Sequence, residues 1–263
     1  MPDDVSMMIR ERQRILVEGG FKEEDVYKIQ STLSNAYFNT IPTLYWTIYE
    51  VYSRPQLLED IREEIANKAV RKADDGDGFV LDVTALQNEC HNLLSAYQET
   101  QRVKHGQVSF RMVTQDTLLD GQYLLKKGTF LHLPGKPIHM SAGIWGSDVQ
   151  EFDPYRFVPT GTGKYKTKML PSNFQPWGAP PWLCPARQFA STEILIVMAL
   201  LALRVHLTPA KGWVPPKEKT VEISTLPHPK KDMALKVTPR EEGQGKWRIM
   251  LGRSKARITL ASG

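Results

Sequence analysis

One cysteine, Cys184, stands in the stretch PWGAPPWLCPARQFASTEI, residues 176–194. Four prolines restrict the backbone around it, so this loop has little conformational entropy to lose on folding. A helix with Pro185 in its first turn would direct free N–H groups and its positive dipole end toward the sulfur. A thiolate held in this way suits haem iron, whereas a lone cysteine is as often a buried packing residue. The local sequence leaves these two interpretations about equal.

A charged pair, Glu99 and Arg102, lies three residues apart on one face of a predicted helix. An isolated pair with this spacing is usually a surface ion pair that contributes a few tenths of a kcal/mol. Arg156 in EFDPYRFVP has apolar neighbours that favour burial. Its planar guanidinium could complete a buried network with Glu99 and Arg102 and so anchor a segment without regular structure.

Pro42 interrupts an apolar helix directly after Asn39 and Thr40. Because proline has no N–H, the carbonyl of Phe38 loses its helical partner and the helix opens locally. The exposed carbonyl, the amide and the hydroxyl would then form a polar notch that suits a water molecule or a diatomic ligand. A simple packing kink is the commoner outcome for a proline within a helix.

Helices dominate the first part of the chain, and short strands follow. Periodicity predicts helices over RERQRILVEGG, residues 24–53, residues 54–73, VTALQNECHNLLSAYQETQRV and residues 185–207. QVSFRMV, TLLDGQYLL and GTFLHL predict a small antiparallel sheet with turns at Asp120-Gly121 and Lys127-Gly128. Residues 135–176 are rich in Gly and Pro and have little periodicity, which is typical of a functional loop. The predicted fold class is mainly α with a small antiparallel β-sheet.

The composition excludes several function classes. The 263 residues are 41% hydrophobic and 24% charged, and the net charge of +5 comes from scattered basic residues, which disfavours nucleic acid as a partner. The longest apolar run, residues 194–203, is about half the ~20 residues that span a bilayer, and the amino terminus does not resemble a signal peptide. We therefore expect no membrane anchor in this chain. Two distant cysteines disfavour a disulfide framework.

Cys90 and His91 are adjacent, but neighbouring residues of a helix point about 100° apart and cannot share a metal ion. We expect Cys90 to be a packing residue. His132, His206 and His228 have no spacing that indicates a site.

Taken in order, these motifs resemble a known family. Asn39-Thr40, Glu99-x-x-Arg102, Arg111, His139, FDPYRF and PWGAPPWLCPA follow the order and spacing of the cytochromes P-450, the haem-thiolate monooxygenases. The resemblance covers nearly all of the chain and corresponds to the carboxy-terminal half of a typical member. It implies that residues 1–263 are part of a single domain with an incomplete cytochrome P-450 fold, in which the amino-terminal half is absent.

The resemblance implies a role for each matching residue. Cys184 would be the axial ligand of the haem iron, and Trp177 replaces the aromatic residue that opens the cysteine loop. Arg111 and His139 align with residues that hold the haem propionates. Asn39 and Thr40 resemble the proton-relay pair of the oxygen-binding helix, in an NTIP form similar to the steroid 7-alpha-hydroxylase branch and its fungal relatives. The buried salt-bridge triad would be Glu99, Arg102 and Arg156.

Several positions depart from the family pattern. Pro180 and Ala186 replace glycines of the cysteine loop, and Trp182 replaces a basic residue that contacts a propionate. Tyr37 stands where a glycine is common on the oxygen helix. These changes would stiffen the loop, crowd the notch and weaken the hold on haem.

The implied reaction inserts one oxygen atom of O2 into a lipophilic substrate at heme b. Electrons would come from NADPH through a flavoprotein reductase, which Lys164, Lys166 and Lys168 could attract, although a solvated loop explains these lysines equally well. Members of the family are typically anchored in the endoplasmic reticulum membrane with a cytosolic catalytic domain. The alternative is a non-catalytic truncated remnant that does not hold haem productively. An isomerase or dehydratase on the same scaffold is disfavoured by the presence of Thr40.

Overall fold

A computed structural model describes residues 4–31, 34–159, 170–219 and 226–252, together with residues 258 and 260. The chain forms two compact units, Met1–Ile41 and Pro42–Gly263. Within the described residues the α-helices are α1 (Met7–Glu18), α2 (Glu23–Ser31), α3 (Ser34–Tyr52), α4 (Pro55–Lys68), α5 (Val83–Asn88), α6 (His91–Lys104), α7 (Gly135–His139), α8 (Ala142–Trp145) and α9 (Arg187–Arg204). The strands there are β1 (Val70–Lys72), β2 (Phe79–Asp82), β3 (Val108–Met112), β4 (Thr117–Leu119), β5 (Tyr123–Leu125), β6 (Phe130–Pro134), β7 (Val205–Pro209), β8 (Glu218–Lys219), β9 (His228–Pro229), β10 (Leu235–Pro239) and β11 (Trp247–Met250).

The first unit contains α1, α2 and the beginning of α3. The predicted stop of α1 before Gly19 is confirmed, and Gly20 adopts the left-handed backbone conformation with φ +89° that glycine tolerates. Gln30 holds α2 to α1, because its Nε2 donates to the carbonyl of Ile9 at 2.9 Å. Where one helix was predicted over residues 24–53, the structure describes α2 and α3, and residues 32 and 33 between them lie outside the described residues.

The core of the second unit forms where α4, α6 and α9 pack together. Ile61 and Ile65 of α4 meet Leu93 of α6 and Ile194 and Leu195 of α9, and all five side chains are almost completely buried. This burial supplies most of the stabilisation of helices whose isolated sequences would be marginally helical in water. The core thereby fixes α6 and α9, which flank the predicted site in the sequence.

The prediction of one helix over residues 83–103 is wrong. The chain forms α5 and α6, which are separated at Glu89 and Cys90. The carboxylate of Glu64, on α4, accepts hydrogen bonds from the N–H groups of His91 at 3.0 Å and Asn92 at 2.8 Å. Since the first N–H groups of a helix have no partner within it, this carboxylate from another helix allows α6 to begin at His91.

The prediction that the last long helix extends to residue 207 is also wrong. Helix α9 ends at Arg204, and the chain continues as β7, which pairs with β10 in antiparallel register. Two arginines satisfy carbonyl groups at this helix end. Nε of Arg62 donates to the carbonyl of Ala202 at 2.9 Å, and Nη1 of Arg240 donates to that of Leu203 at 3.0 Å. Cationic groups at the carboxyl end of a helix also complement its dipole.

The sheets are small, and the mainly helical fold class is confirmed. Strands β3 and β6 pair in antiparallel register, as do β4 and β5, whose turn places Asp120 at φ 53° and Gly121 at φ 65°. A further sheet has the order β1-β2-β11 and was not predicted. Its β1 replaces the end of the helix predicted over residues 54–73, and its β2–β11 pair is parallel.

The described residues of the Gly- and Pro-rich segment, 135–159 and 170–176, pack around their own aromatic cluster. Trp145, Phe157 and Phe174 are buried against one another, with ring centroids 5.0 to 6.0 Å apart. Aromatic pairs at these distances stabilise a segment that has few backbone ladders. In the part of the chain that the structure describes, no helix is long and apolar enough to cross a membrane.

Candidate active site

The cysteine loop, residues 176–185, folds back on itself around Cys184. The amide of Cys184 donates to the carbonyl of Trp177 at 2.8 Å, which closes the loop and leaves the thiol half-buried. Gly178 permits this closure because its φ is +90°, and a Cβ there would lie 3.3 Å from the carbonyl oxygen of Trp182. Helix α9 begins at Arg187 with Ala186 as its N-cap, so Pro185 precedes the helix and does not occupy its first turn.

Strand β3 holds this loop in place. Ser109 accepts a hydrogen bond from the amide of Ala179 at 3.1 Å. Arg111 donates through Nη2 to the carbonyls of Ala179 at 2.7 Å and Pro180 at 3.4 Å, and through Nη1 to its neighbour Phe110 at 2.9 Å. A guanidinium has five N–H donors, so Arg111 retains donors for a further acceptor beside the cysteine loop.

Trp177 fills the space between the loop and the core of the second unit. Its half-buried indole packs against the core and meets the ring of His105 edge-on, with centroids 6.4 Å apart. The indole Nε1 is buried and has no hydrogen-bond partner among the described residues. A buried donor without an acceptor is uncommon in proteins and indicates a position where a further group can bind.

His139 is enclosed by protein. Its Nδ1 lies 3.1 Å from the carbonyl of His105, and its Nε2 lies 2.9 Å from the amide of Gln175, so Nδ1 donates and Nε2 accepts. Burial lowers the pKa of His139 to about 4, which keeps the ring neutral. A propionate at this ring would have to break one of these bonds. We therefore leave His139 out of the proposed haem contacts and regard it as part of the support of the loop.

Glu99, Arg102 and Arg156 form one buried network. Arg102 donates to both oxygens of Glu99 at 2.7 Å, and Nε of Arg156 donates to Oε1 of Glu99 at 3.2 Å. Glu99 and Arg102 are completely buried, so they are not the surface pair that their spacing alone would favour. Arg102 also donates to the carbonyls of His139, Val149 and Glu151 at 2.9 to 3.1 Å. The network fastens the irregular segment after α7 to α6.

Asn39 and Thr40 belong to the first unit, whereas Cys184 belongs to the second. Asn39 and Thr40 are partly exposed and lie on α3, which continues through Pro42. Their predicted role in proton transfer stays a prediction. The side chain of Tyr37 and residues Lys164, Lys166 and Lys168 lie outside the described residues.

Cys90 lies in the core of the second unit with 1% of its surface exposed, and burial raises the pKa of its thiol to about 12. Within the described ranges no three His, Cys, Asp or Glu side chains come together as a metal site. Cys184 is therefore the accessible thiol of the described chain.

Two residues that support the loop were not predicted from the sequence. His105 contacts Pro176 and Thr43, and Ser109 contacts Ala179. His105 follows the last residue of α6 and precedes Gly106, a position that by itself indicates only a helix end. Ser109 and Arg111 are two positions apart on β3 and therefore lie on the same face of the strand. This spacing could have suggested that both side chains contact the same segment of the chain.

Comparison with known proteins gives the family. The cytochrome P450 family model matches residues 11–235. The chain is 33% identical over 267 residues to the cytochrome P450 monooxygenase nodJ of Hypoxylon pulicicidum, a match that covers 96% of this chain and 52% of that protein. A cytochrome P450 monooxygenase of Gibberella zeae is 30% identical over 84% of this chain and 44% of its own length.

A steroid hydroxylase is also similar. The 5-beta-cholestane-3-alpha,7-alpha-diol 12-alpha-hydroxylase of Sus scrofa is 32% identical over 64% of this chain and 36% of its own length. The chain spans about half the length of the curated relatives it matches. The family match includes residues of both units and contains Cys184, the triad and Arg111. The chain belongs to the cytochrome P450 family.

Proposed function

We propose that this chain is the haem-binding part of a monooxygenase that acts on a lipophilic organic substrate. The net reaction transfers one atom of O2 into a C–H bond and reduces the other atom to water, and it consumes two electrons and two protons. The observation that carries the proposal is the half-buried thiol of Cys184 in a loop held by β3. Membership of the family supports the reaction class.

The side chains around the cysteine loop fit a haem. Cys184 would provide the thiolate ligand, the unused N–H donors of Arg111 would bind a propionate, and the indole of Trp177 would lie beside the thiolate. When bound, haem supplies the reductive activation of O2, which a thiolate ligand favours. Cys184, Arg111 and Trp177 would hold this group. Asn39 and Thr40 would take part in proton transfer, as the family resemblance implies.

The electron donor and the substrate class are further parts of this proposal. Electrons would come from NADPH through a flavoprotein reductase, and the net charge of +5 favours an acidic partner. A lipophilic substrate is supported by the similarity to the pig enzyme, whose name specifies a cholestane diol.

A spectroscopic experiment tests the thiolate. The chain is titrated with hemin, reduced and exposed to CO, and the Soret band is compared between wild type, Cys184→Ala and Cys90→Ala. We expect the thiolate-type band in the wild type and in Cys90→Ala, and its loss in Cys184→Ala. Cys90→Ala is the matched control because it removes the other cysteine while leaving the loop intact. A thiol at position 184 that stays fully alkylatable at saturating hemin would contradict the proposal.

A second candidate is a remnant that does not hold haem productively. It is favoured by exposed apolar side chains on the strands beside the cysteine loop, with Phe110 51%, Met112 60% and Phe130 66% exposed. Contiguous apolar surface of this kind usually contacts further polypeptide. This candidate predicts strong binding of a hydrophobic dye at every hemin concentration. A chain whose dye fluorescence falls as hemin binds would argue for the first candidate.

A further inference from the structure

His105 joins two elements that the sequence keeps far apart. The imidazole is buried directly after the last residue of α6, with 3% of the residue exposed. Its Nδ1 lies 3.1 Å from the carbonyl oxygen of Pro176, at the beginning of the cysteine loop. Its Nε2 lies 3.2 Å from Oγ1 of Thr43, in the first turn of α3 after Pro42.

These two contacts determine the tautomer of the ring. A carbonyl oxygen only accepts hydrogen bonds, so Nδ1 must carry the proton that it donates to Pro176. In the neutral ring Nε2 then has a lone pair, which accepts the hydroxyl proton of Thr43. Burial, together with smaller contributions from the neighbouring His139 and Lys136, lowers the pKa of His105 to about 3, so the neutral ring persists at physiological pH.

The backbone of His105 extends the same connection. Its carbonyl accepts a hydrogen bond from Nδ1 of His139, and Nε2 of His139 accepts one from the amide of Gln175. Gln175, directly before the loop, and Pro176, its first residue, are thus held by two buried histidines. The next residue, Trp177, accepts the amide hydrogen bond of Cys184 at 2.8 Å. The position of the thiol therefore depends on the position of these three residues.

We propose that His105 is a positioning residue that ties helix α3, at Thr43, to the cysteine loop, at Pro176, and so fixes the Cys184 thiol. This inference rests on the proposed function in one respect, the assignment of the Cys184 thiol as the haem ligand. An aromatic ring of the same size could fill the space, but it would leave the Pro176 carbonyl and the Thr43 hydroxyl without these partners. Hydrogen bonding, rather than packing alone, is therefore the property that matters.

The test measures the alkylation rate of Cys184 in the haem-free chain, with Cys90 as the internal reference. His105→Phe keeps the volume and removes both hydrogen bonds, and we expect the Cys184 rate to rise about tenfold, which is the effect of losing roughly one buried hydrogen bond. His105→Asn keeps a donor near the Nδ1 position, and we expect this variant to restore a rate close to that of the wild type. Thr43→Val removes the hydroxyl that contacts His105, and its effect on the Cys184 rate should be smaller in the His105→Phe background than in the wild type.

Two outcomes would overturn the proposal. One is a rise in the Cys90 rate that parallels the Cys184 rate in each variant, because His105 would then support only global stability. The other is an NMR spectrum of the 15N-labelled wild-type chain that shows the proton of His105 on Nε2. This second measurement requires no variant to fold.

A spectroscopic measurement separates this proposal from the proposed function. In the hemin-loaded chain, His105→Phe should lower the fraction with the thiolate-type ferrous-CO band, and His105→Asn should restore it. If the wild type binds no hemin, the proposed function fails, whereas the alkylation rates and the tautomer still decide the role of His105.

Discussion

At the scale of single residues, Glu99 and Arg102 stabilise the segment after α7, a role that their spacing of three residues does not predict. The two oxygens of Glu99 accept from Arg102 and Arg156, and Oε1 also accepts the amide of Asp153 at 3.1 Å. Because Glu99, Arg102 and Arg156 are buried, each charge depends on its partners to offset the loss of hydration. The backbone between α7 and Arg156, which is irregular apart from α8, is thereby held by side chains instead of by a sheet.

Arg102→Met should destabilise the chain strongly. Methionine fills much of the space, but it leaves the Glu99 carboxylate buried with half of its partners, at a cost of about 3–5 kcal/mol in the free energy of unfolding. Urea denaturation measures this change.

The matched control is Arg14→Met, because Arg14 pairs with Glu11 and Glu18 on the exposed surface of α1. This variant should unfold at nearly the wild-type urea concentration. Equal shifts for the two substitutions would show that burial of the Glu99 network has no energetic consequence.

At the scale of elements, the beginning of α6 depends on α4. Glu64 supplies the acceptor for the first N–H groups of α6, and Lys68 lies 3.2 Å from the same carboxylate. The start of the helix that bears Glu99 and Arg102 is therefore set by a residue 27 positions earlier in the chain.

Glu64→Ala should lower the free energy of unfolding by about 1–2 kcal/mol, the usual effect of removing a helix cap. It should also raise the hydrogen-exchange rates of the His91 and Asn92 amides. Glu63→Ala is the control, since Glu63 lies beside it on α4 with an exposed side chain. Unchanged exchange at these amides in Glu64→Ala would contradict the capping role.

At the scale of the whole molecule, two buried neutral histidines make stability depend on pH. Burial lowers the pKa of His139 to about 4 and that of His105 to about 3, whereas a histidine in the unfolded chain titrates near 6.5. Below pH ~6.5 the unfolded chain binds protons that the folded chain does not. The contribution of the two neutral histidines to the free energy of unfolding is therefore fully present above pH ~6.5. It is lost as the pH falls toward about 4 for His139 and about 3 for His105.

Urea denaturation between pH 7.5 and about pH 4.5 measures this dependence. Each histidine contributes a slope of up to about 1.4 kcal/mol per pH unit to the free energy of unfolding. In His139→Asn the dependence of the free energy of unfolding on pH should decrease by the contribution of one histidine. The decrease in stability that comes from protonation of carboxylates at low pH should remain. A slope identical to that of the wild type would show that His139 is not held neutral in the folded chain.

The sequence predicted the features that depend on neighbouring residues. The helices with a strong apolar stripe and the Asp120-Gly121 hairpin follow from local pattern and turn chemistry. The break at Cys90 was missed because its capping carboxylate comes from another helix. His105 was missed because its partners, Thr43 and Pro176, lie 62 and 71 positions away. The family resemblance, not spacing, indicated that the Glu99 pair is buried.

The parallel pairing of β2 with β11 has a consequence for the order in which the chain folds. Lys246, beside β11, pairs with Asp77, beside β2, across 169 positions of sequence. Closing so long a loop is entropically costly and slow compared with forming helices or hairpins. The helical core can therefore form first, and the edge of β2 that pairs with β11 remains unpaired until residues 247–250 have been synthesised.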